Sequence, residues 1–399
     1  MINSDSLPRH PAKLNPEEVR KRYRALYHQE PIMVRSPGRI NLIGEHTDYN
    51  DGFVMPAGID REMVLAIGLA GGQNSSLHSL RQNETITFDI ANPSRLKSPL
   101  WANFMLGVAR RFLDKGYTLQ AFNCVMDGDI PTGAGLSSSA ALECGFAFAL
   151  DHLHGFKVPR IEMVQIAQWA EHNYAGVMCG IMDQFASMMS QENQAFVLDC
   201  RSLNYQYFTL QLQDYAILLC DTMVKHTLAT SAYNERREQC ESGVKILKQF
   251  YSEIKSLRDV TIEMIEHHAS SLNGKILDRC RYVVEENQRV LDASHHLTVG
   301  DLAAFGKKMY ASHEGLSRLY EVSCNELDFL VDEARRCDVI LGSRMMGGGF
   351  GGCTINIILK SAIPGFISRL SGAYRSKFNT EMDHYVVALR GGTSLLQTN

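Results

Sequence analysis

The stretch Ser36-Pro37-Gly38-Arg39-Ile40-Asn41-Leu42-Ile43-Gly44-Glu45-His46-Thr47-Asp48-Tyr49-Asn50 carries more glycine and polar residues than packing requires. Glu45, His46 and Asp48 crowd into four positions, with Arg39 upstream. Loop carboxylates beside an imidazole suit a polyol, because each group can accept from or donate to neighbouring hydroxyls. The same residues also fit a solvated turn with a local ion pair, and composition alone leaves both readings open.

A second stretch lies further along the chain: Pro131-Thr132-Gly133-Ala134-Gly135-Leu136-Ser137-Ser138-Ser139-Ala140-Ala141-Leu142-Glu143. It follows a predicted strand at 122–126 and opens a predicted helix over 136–154, ended by Gly155. Glycines let a backbone approach an anion closely. The free N–H groups of a helix start bind phosphate well. Serine hydroxyls add hydrogen bonds or a Mg²⁺ ligand. An ordinary serine-rich N-cap is the alternative, although three serines exceed what one cap needs.

The third stretch, Gly347-Gly348-Gly349-Phe350-Gly351-Gly352-Cys353, matches G-x-G-x-x-G literally. That dinucleotide fingerprint requires a helix after it, and the run at 354–358 is β-branched and reads as strand. A loop beside a bound anion and a tight turn between two strands both remain open. Glu171 falls near the end of an amphipathic helix predicted over 159–174, where a solvated carboxylate is the default. Asp183 follows Cys179-Gly180-Ile181-Met182 and reads as the N-cap of a short helix over 183–190.

The chain has 399 residues, 45% hydrophobic and 21% charged, which suits a globular protein of two domains. With 40 basic against 44 acidic residues, the net charge of -4 argues against a nucleic-acid partner. No run of about 18 apolar residues predicts a membrane helix. Residues 1–16 lack a signal-peptide core. Ten cysteines are scattered singly, with no C-x-x-C pair, and are read as reduced, mostly buried thiols. A cytoplasmic protein is the expectation. The motifs of zincins, α/β-hydrolases and P-loop NTPases are absent.

Asn15, Pro16 and the acidic pair Glu17 and Glu18 predict a helix over 16–27. Strands are predicted at 32–35 (ended by Ser36-Pro37-Gly38), 61–69 and 85–90. A domain border is expected near 200–215. Beyond it come a strand at 216–220, a long helix over 234–257 and further helices to about 336. Strands at 339–341, 354–359 and 385–389 then flank a helix over 364–377. The alternation predicts an α+β or α/β layer packing.

Taken together, the three stretches resemble the three motifs of the GHMP small-molecule kinases. Residues 38–50 closely resemble the galactokinase signature. The resemblance continues in order through 131–143, 180–185, 199–203 and 342–353. It implies an α+β fold of two domains. A ribosomal-S5-like N-terminal domain over 1–205 would bind sugar and phosphate, and a ferredoxin-like C-terminal GHMP domain would span 206–399. The active site would lie in the cleft between them. The implied activity is ATP-dependent phosphorylation of the C1 hydroxyl of galactose, giving galactose 1-phosphate and ADP at the start of the Leloir route. An N-acetylgalactosamine kinase, another sugar-1-kinase or a silent galactose/ATP sensor are the alternatives.

By the same resemblance, Asp183 matches the catalytic carboxylate and Arg39 the arginine that holds it ionised. Glu45, His46, Asp48, Gly180 and Tyr233 match the sugar site. Gly133, Ala134, Gly135, Leu136, Ser137, Ser138 and Ser139 match the phosphate loop. Ser139 and Glu171 match the Mg²⁺ ligands, and Ser79 and Trp101 the adenine end. A monomer acting on galactose and ATP is expected. Ala141 and Met346 depart from the family pattern of Ser and Thr. Each loses a hydroxyl near the nucleotide, which predicts an altered ATP affinity.

Overall fold

The structure, a computed structural model, describes residues 14–224 and 229–396; the expectation for 1–13 lies outside them. Helix α1 (Pro16–Tyr27) forms as its sequence predicts. Asn15 caps it by accepting the Glu17 N–H at 3.1 Å, and Pro16 sits where no N–H is needed. Strands β1 (Ile32–Asn41), β2 (Phe53–Val54), β3 (Pro56–Leu69), β4 (Asn74–Ser79) and β5 (Glu84–Asp89) follow. Next come α2 (Trp101–Asp114), β6 (Phe122–Gly128), α3 (Ser138–His154), α4 (Arg160–Ala170), α5 (Met182–Met189), β7 (Gln194–Asp199) and β8 (Tyr205–Thr209). Strand β9 (Tyr215–Asp221) leads into α6 (Ala229–Leu247), α7 (Ile262–His267), α8 (Ala269–Leu272), α9 (Gly274–Thr298), α10 (Leu302–Arg318) and α11 (Asn325–Arg335). The chain closes with β10 (Ile340–Met345), β11 (Cys353–Leu359), α12 (Ile363–Phe378), β12 (Asp383–Val387), β13 (Leu389–Arg390) and β14 (Ser394–Leu395).

The first sheet runs β14-β1-β3-β6-β4-β5, with β13 also on β3. The second, antiparallel throughout, runs β10-β11-β9-β12, and β2-β7-β8 form a third. Successive residues of a strand point to opposite faces, and both large sheets bury both faces. Leu65 and Ile67 pack under α2 to α5, while Val64 and Ala66 pack under α1. In β9, Leu218 and Cys220 face α11 and α12. Ile217 and Leu219 join Ile40, Leu42, Met55 and Ile59 from the first sheet in one shared core. That shared core fixes the two sheets relative to each other around the site.

The sequence reading assigns no element to α2, β2, β4, β7 or β8, and three further elements differ from it in ways that bear on the site. Strand β1 does not stop at Ser36-Pro37-Gly38; it runs on to Asn41 through a bulge between Pro37 and Arg39. A bulge tolerates the missing proline N–H, and Gly38 is needed because a Cβ there would lie 2.8 Å from the Leu136 carbonyl. The helix predicted over 159–174 ends at Ala170 and continues as a π-turn over Glu171–Ala175. The helix predicted over 234–257 is Ala229–Leu247; a separate turn at Leu257–Asp259 starts from a Ser256/Asp259 capping box. All ten cysteines are free thiols, and seven of them are buried.

Candidate active site

The register shift between β1 and β3, where β3 carries the extra residues, brings Arg39 under the glycine–serine loop. Its backbone N–H donates to Leu136 O at 3.1 Å, and its Nη1 donates to Gly135 O at 2.5 Å. The guanidinium also grips Asp183, with Nε to Oδ1 and Nη2 to Oδ2 both at 2.7 Å. A bidentate pair of this kind is strong and fixes orientation. Arg39 is 4% exposed and the Asp183 side chain 26%, so the carboxylate remains open to a ligand.

Asp183 is not the N-cap of its helix. Ile181 occupies that position, and Asp183 stands in the first turn of α5. Ser137, the residue before α3, holds a left-handed backbone at φ 58° and makes no cap bond. Its hydroxyl donates to Asp183 Oδ2 instead. The start of α3 therefore keeps N–H groups that no side chain caps. One serine of the phosphate-loop candidate thus touches the central carboxylate directly.

A cavity beside this pair is lined by Arg39, Glu45, His46, Asp48, Asp183 and Tyr233, together with Cys179, Met182, Gly347 and Gly348. Asp48 comes from the turn after β1, and its Oδ1 accepts the Tyr49 N–H at 3.0 Å. Gly180 packs on it so closely that a Cβ there would stand 1.9 Å from Asp48 Oδ2. Burial, then the nearby charge of Asp183, pushes the Asp48 carboxyl up to about 7. Glu45 is buried and accepts from Asn41 Nδ2 at 3.0 Å.

His46 lines the same cavity with both ring nitrogens engaged. Nε2 lies 3.2 Å from the Gly348 carbonyl, so it carries the proton; Nδ1 accepts from Tyr49 Oη at 2.8 Å. Burial lowers the imidazole to about 3, which keeps it neutral. Tyr49 Oη in turn meets Tyr320 Oη at 2.8 Å. The Tyr233 ring stands 5.2 Å from that of His46 and 5.4 Å from that of Tyr49.

Ser139, in the first turn of α3, donates to Glu171 Oε1 at 3.0 Å. Glu171 is not solvated: the π-turn carries it inward to 7% exposure. Such turns often mark functional positions. Gln184 Nε2 donates to its Oε2 at 2.6 Å. Burial, then Asp183, raises the Glu171 carboxyl to about 7. Glu143 lies behind it, buried and raised well above the ordinary range by burial and by Glu171.

The glycine run at 347–352 is the turn between two strands that its sequence allowed. It joins β10 to β11 as a turn, and it lies on the serine loop: a Cβ on Gly347 would sit 3.3 Å from Gly135 Cα. Four of its glycines take positive φ. Ser79 and Trp101 are elsewhere, at the end of the β4–β5 hairpin. Ser79 Oγ accepts the Gln82 N–H at 3.3 Å, and Trp101 Nε1 donates to Glu84 Oε2 at 3.0 Å. Ala141 and Met346 are fully buried in the shared core. Neither lines the cavity between Arg39 and Tyr233. Sequence reasoning missed Tyr49, Cys179, Met182 and Arg344. Tyr49 was within the quoted stretch, and its place beside His46 was the available signal.

Two family models match in chain order: "GHMP kinases N terminal domain" over residues 103–191 and "GHMP kinases C terminal" over 290–375. With the fold and the loop-and-carboxylate site, they define a GHMP kinase. A third, "Galactokinase galactose-binding signature", matches residues 21–69. The chain is 42% identical to the galactokinase of Thermotoga maritima over 351 residues, covering 88% of this chain and 96% of that protein. It is 37% identical to the galactokinase of Roseiflexus sp., over 97% of this chain and 98% of that protein. It belongs to the galactokinase family. The crystal structure of Lactococcus lactis galactokinase complexed with galactose superposes with a TM-score of 0.92 at 33% identity, covering 95% of this chain and 99% of that one. Methanococcus jannaschii mevalonate kinase shares the fold alone, with a TM-score of 0.65 at 15% identity over 91% and 99% of the two chains.

Proposed function

We propose that this chain transfers the γ-phosphoryl group of ATP to the C1 hydroxyl of galactose, giving galactose 1-phosphate and ADP. One observation carries the reading: Asp183 lines the polar cavity and at the same time accepts from Ser137 of the phosphate loop. Sugar hydroxyl and phosphoryl group would meet at that carboxylate.

Phosphoryl transfer leaves little covalent work to the protein, so positioning and charge dominate. Asp183 receives the C1 hydroxyl. Three donors from Arg39 and Ser137 hold it in one orientation, so it orients the hydroxyl as much as it takes the proton. Arg39 anchors Asp183 through its bidentate pair and offsets negative charge on the moving phosphoryl group. Glu45 and Asp48 accept sugar hydroxyls, His46 and Tyr233 wall the ring, and Gly180 leaves room for Asp48. The 133–139 loop cradles the triphosphate over the start of α3, and Ser79 with Trp101 flank the adenine.

The donor set fits Mg²⁺. Ser139 Oγ and the Glu171 carboxylate are adjacent hard oxygen ligands, and Mg²⁺ takes few protein ligands beside phosphate oxygens and water. Ser139 and Glu171 would hold the ion, which neutralises phosphate charge when bound. Residues 1–205 supply most of the sugar and phosphate contacts in this scheme, and 206–399 supply Tyr233 and the 347–352 turn. Among the described residues, no helix is long and apolar enough to cross a membrane.

The testing experiment is ADP release with ATP and Mg²⁺ against galactose, N-acetylgalactosamine, glucose and no sugar. Turnover on galactose is the expected result. Preference for another sugar would move the specificity. Saturable galactose and ATP binding without turnover would leave a sensor.

Asp48 gives a pH prediction. It must be ionised to accept hydroxyls, so galactose KM rises as pH falls below about 7. Stability moves the other way. An unfolded Asp releases its proton near pH 4, the folded one near 7, so the unfolded state binds fewer protons between those values. Folding stability therefore falls as pH rises through that window. Asp48→Asn removes the effect, and its stability advantage, on the order of 4 kcal/mol, opens between about pH 4 and 7. Denaturant melts at both ends of the window check it; equal midpoints would show that Asp48 carries no burial cost.

A further inference from the structure

Arg344 is fully buried in β10, yet nothing in the reaction scheme uses it. Its guanidinium reaches across to the exit of β1. Nε donates to Leu42 O at 2.9 Å and Nη1 to Met345 O at 2.6 Å. Nη2 donates to Asn41 O and, at 3.1 Å, to Glu45 Oε1. A buried guanidinium is tolerated only when it is paired in this way.

The other side of the contact is more informative. Glu45 Oε1 also accepts the Gly347 N–H at 2.8 Å, and Oε2 accepts Asn41 Nδ2 at 3.0 Å. A carboxylate offers about four acceptor positions. Three are filled by fixed donors, and one remains on Oε2 of a residue that lines the sugar cavity. Glu45 thus enters the cavity as an oriented acceptor with a single free position.

We propose that Arg344 is a positioning residue that locks Glu45 as a single-site acceptor and so makes one particular sugar hydroxyl obligatory. The proposal rests on the galactose reading above. A sugar lacking that hydroxyl leaves the one open acceptor position of a buried carboxylate unfilled, which costs affinity. Lysine cannot replace the arginine, because a point charge cannot span acceptors on Asn41, Leu42, Met345 and Glu45 at once. With lysine, Glu45 gains rotational freedom and the hydroxyl requirement relaxes.

The test compares galactose with its four monodeoxy analogues lacking the 2-, 3-, 4- or 6-hydroxyl. Wild-type turnover on galactose independently tests the underlying activity. In the wild type, one analogue, besides the one whose missing hydroxyl Asp48 requires, should lose about 10- to 100-fold in kcat/KM beyond the remaining analogues, the size of a hydrogen bond to a charged group. In Arg344→Lys, galactose KM should rise about tenfold with kcat little changed, and the extra penalty on that one analogue should shrink to about threefold or less. A merely structural role would lower all five sugars in proportion, and that outcome overturns the proposal. So does a wild type that singles out no analogue. If Arg344→Lys fails to fold, Arg344→Gln serves instead, since it keeps a planar donor but cannot span Asn41, Leu42 and Glu45 at once. The same selective shrinkage is expected there, and an unchanged analogue pattern overturns the proposal.

Discussion

Replacing Asp183 by alanine lowers kcat by about 10²- to 10⁴-fold, the range of a positioned acid–base group, and leaves the chain folded. The substitution removes the carboxylate at which the cavity and the phosphate loop meet. It also strands Arg39, which keeps Gly135 O as a partner but is 4% exposed. Some stability is therefore lost as well, and circular dichroism with a thermal melt must accompany the kinetics. The measurement is steady-state ADP release on saturating galactose and ATP. Near-normal kcat in the folded variant would remove Asp183 from the mechanism. Asp183→Asn separates the two roles of the group. It keeps the shape, so an orienting carboxylate loses less there than in alanine, whereas a true base loses as much.

Gly180→Ala raises galactose KM by about 10- to 100-fold, the loss expected when a charged acceptor is pulled from its hydroxyl partner. The new methyl would stand 1.9 Å from Asp48 Oδ2 and 2.0 Å from its Cγ, so the carboxylate has to leave its place. The Gly180 backbone is not in the left-handed region, so alanine adds no backbone strain of its own. The effect should fall on sugar binding, with ATP KM changed far less. Calorimetry of galactose binding, alongside both KM values, tests this. A galactose KM within twofold of wild type would show that Asp48 does not hold the sugar.

Much of the architecture was legible because its signals are local. The Asn15-Pro16 start of α1, the Gly155 stop of α3 and the β-branched run of β11 each announce themselves within a few residues. Arg39, Glu45 and Asp48 stand in one dense local motif and are legible from it, whereas Asp183 reads locally as an N-cap and only the family resemblance marks it. What escaped depends on contacts between distant residues. Pro37 looks like a strand breaker until a neighbouring strand supplies the bulge. Glu171 looks solvated until a π-turn rotates it toward Ser139 and Gln184. His46 looks like a free ligand until Tyr49 and Gly348 take its nitrogens. Arg344 lies about 300 residues from Glu45, and no spacing rule reaches that far.

The pairing of β14 with β1 bears on the order in which the chain is made. Val34 and Arg35 emerge from the ribosome about 360 residues before their partners Leu395 and Ser394. Ile59 likewise waits for Leu389. Throughout synthesis the early strands present bare peptide edges and half of a core whose other half is not yet translated. Completion of the first sheet is therefore a late event, and translation that stalls after residue 205 leaves an open edge suited to holding by a chaperone or to self-association.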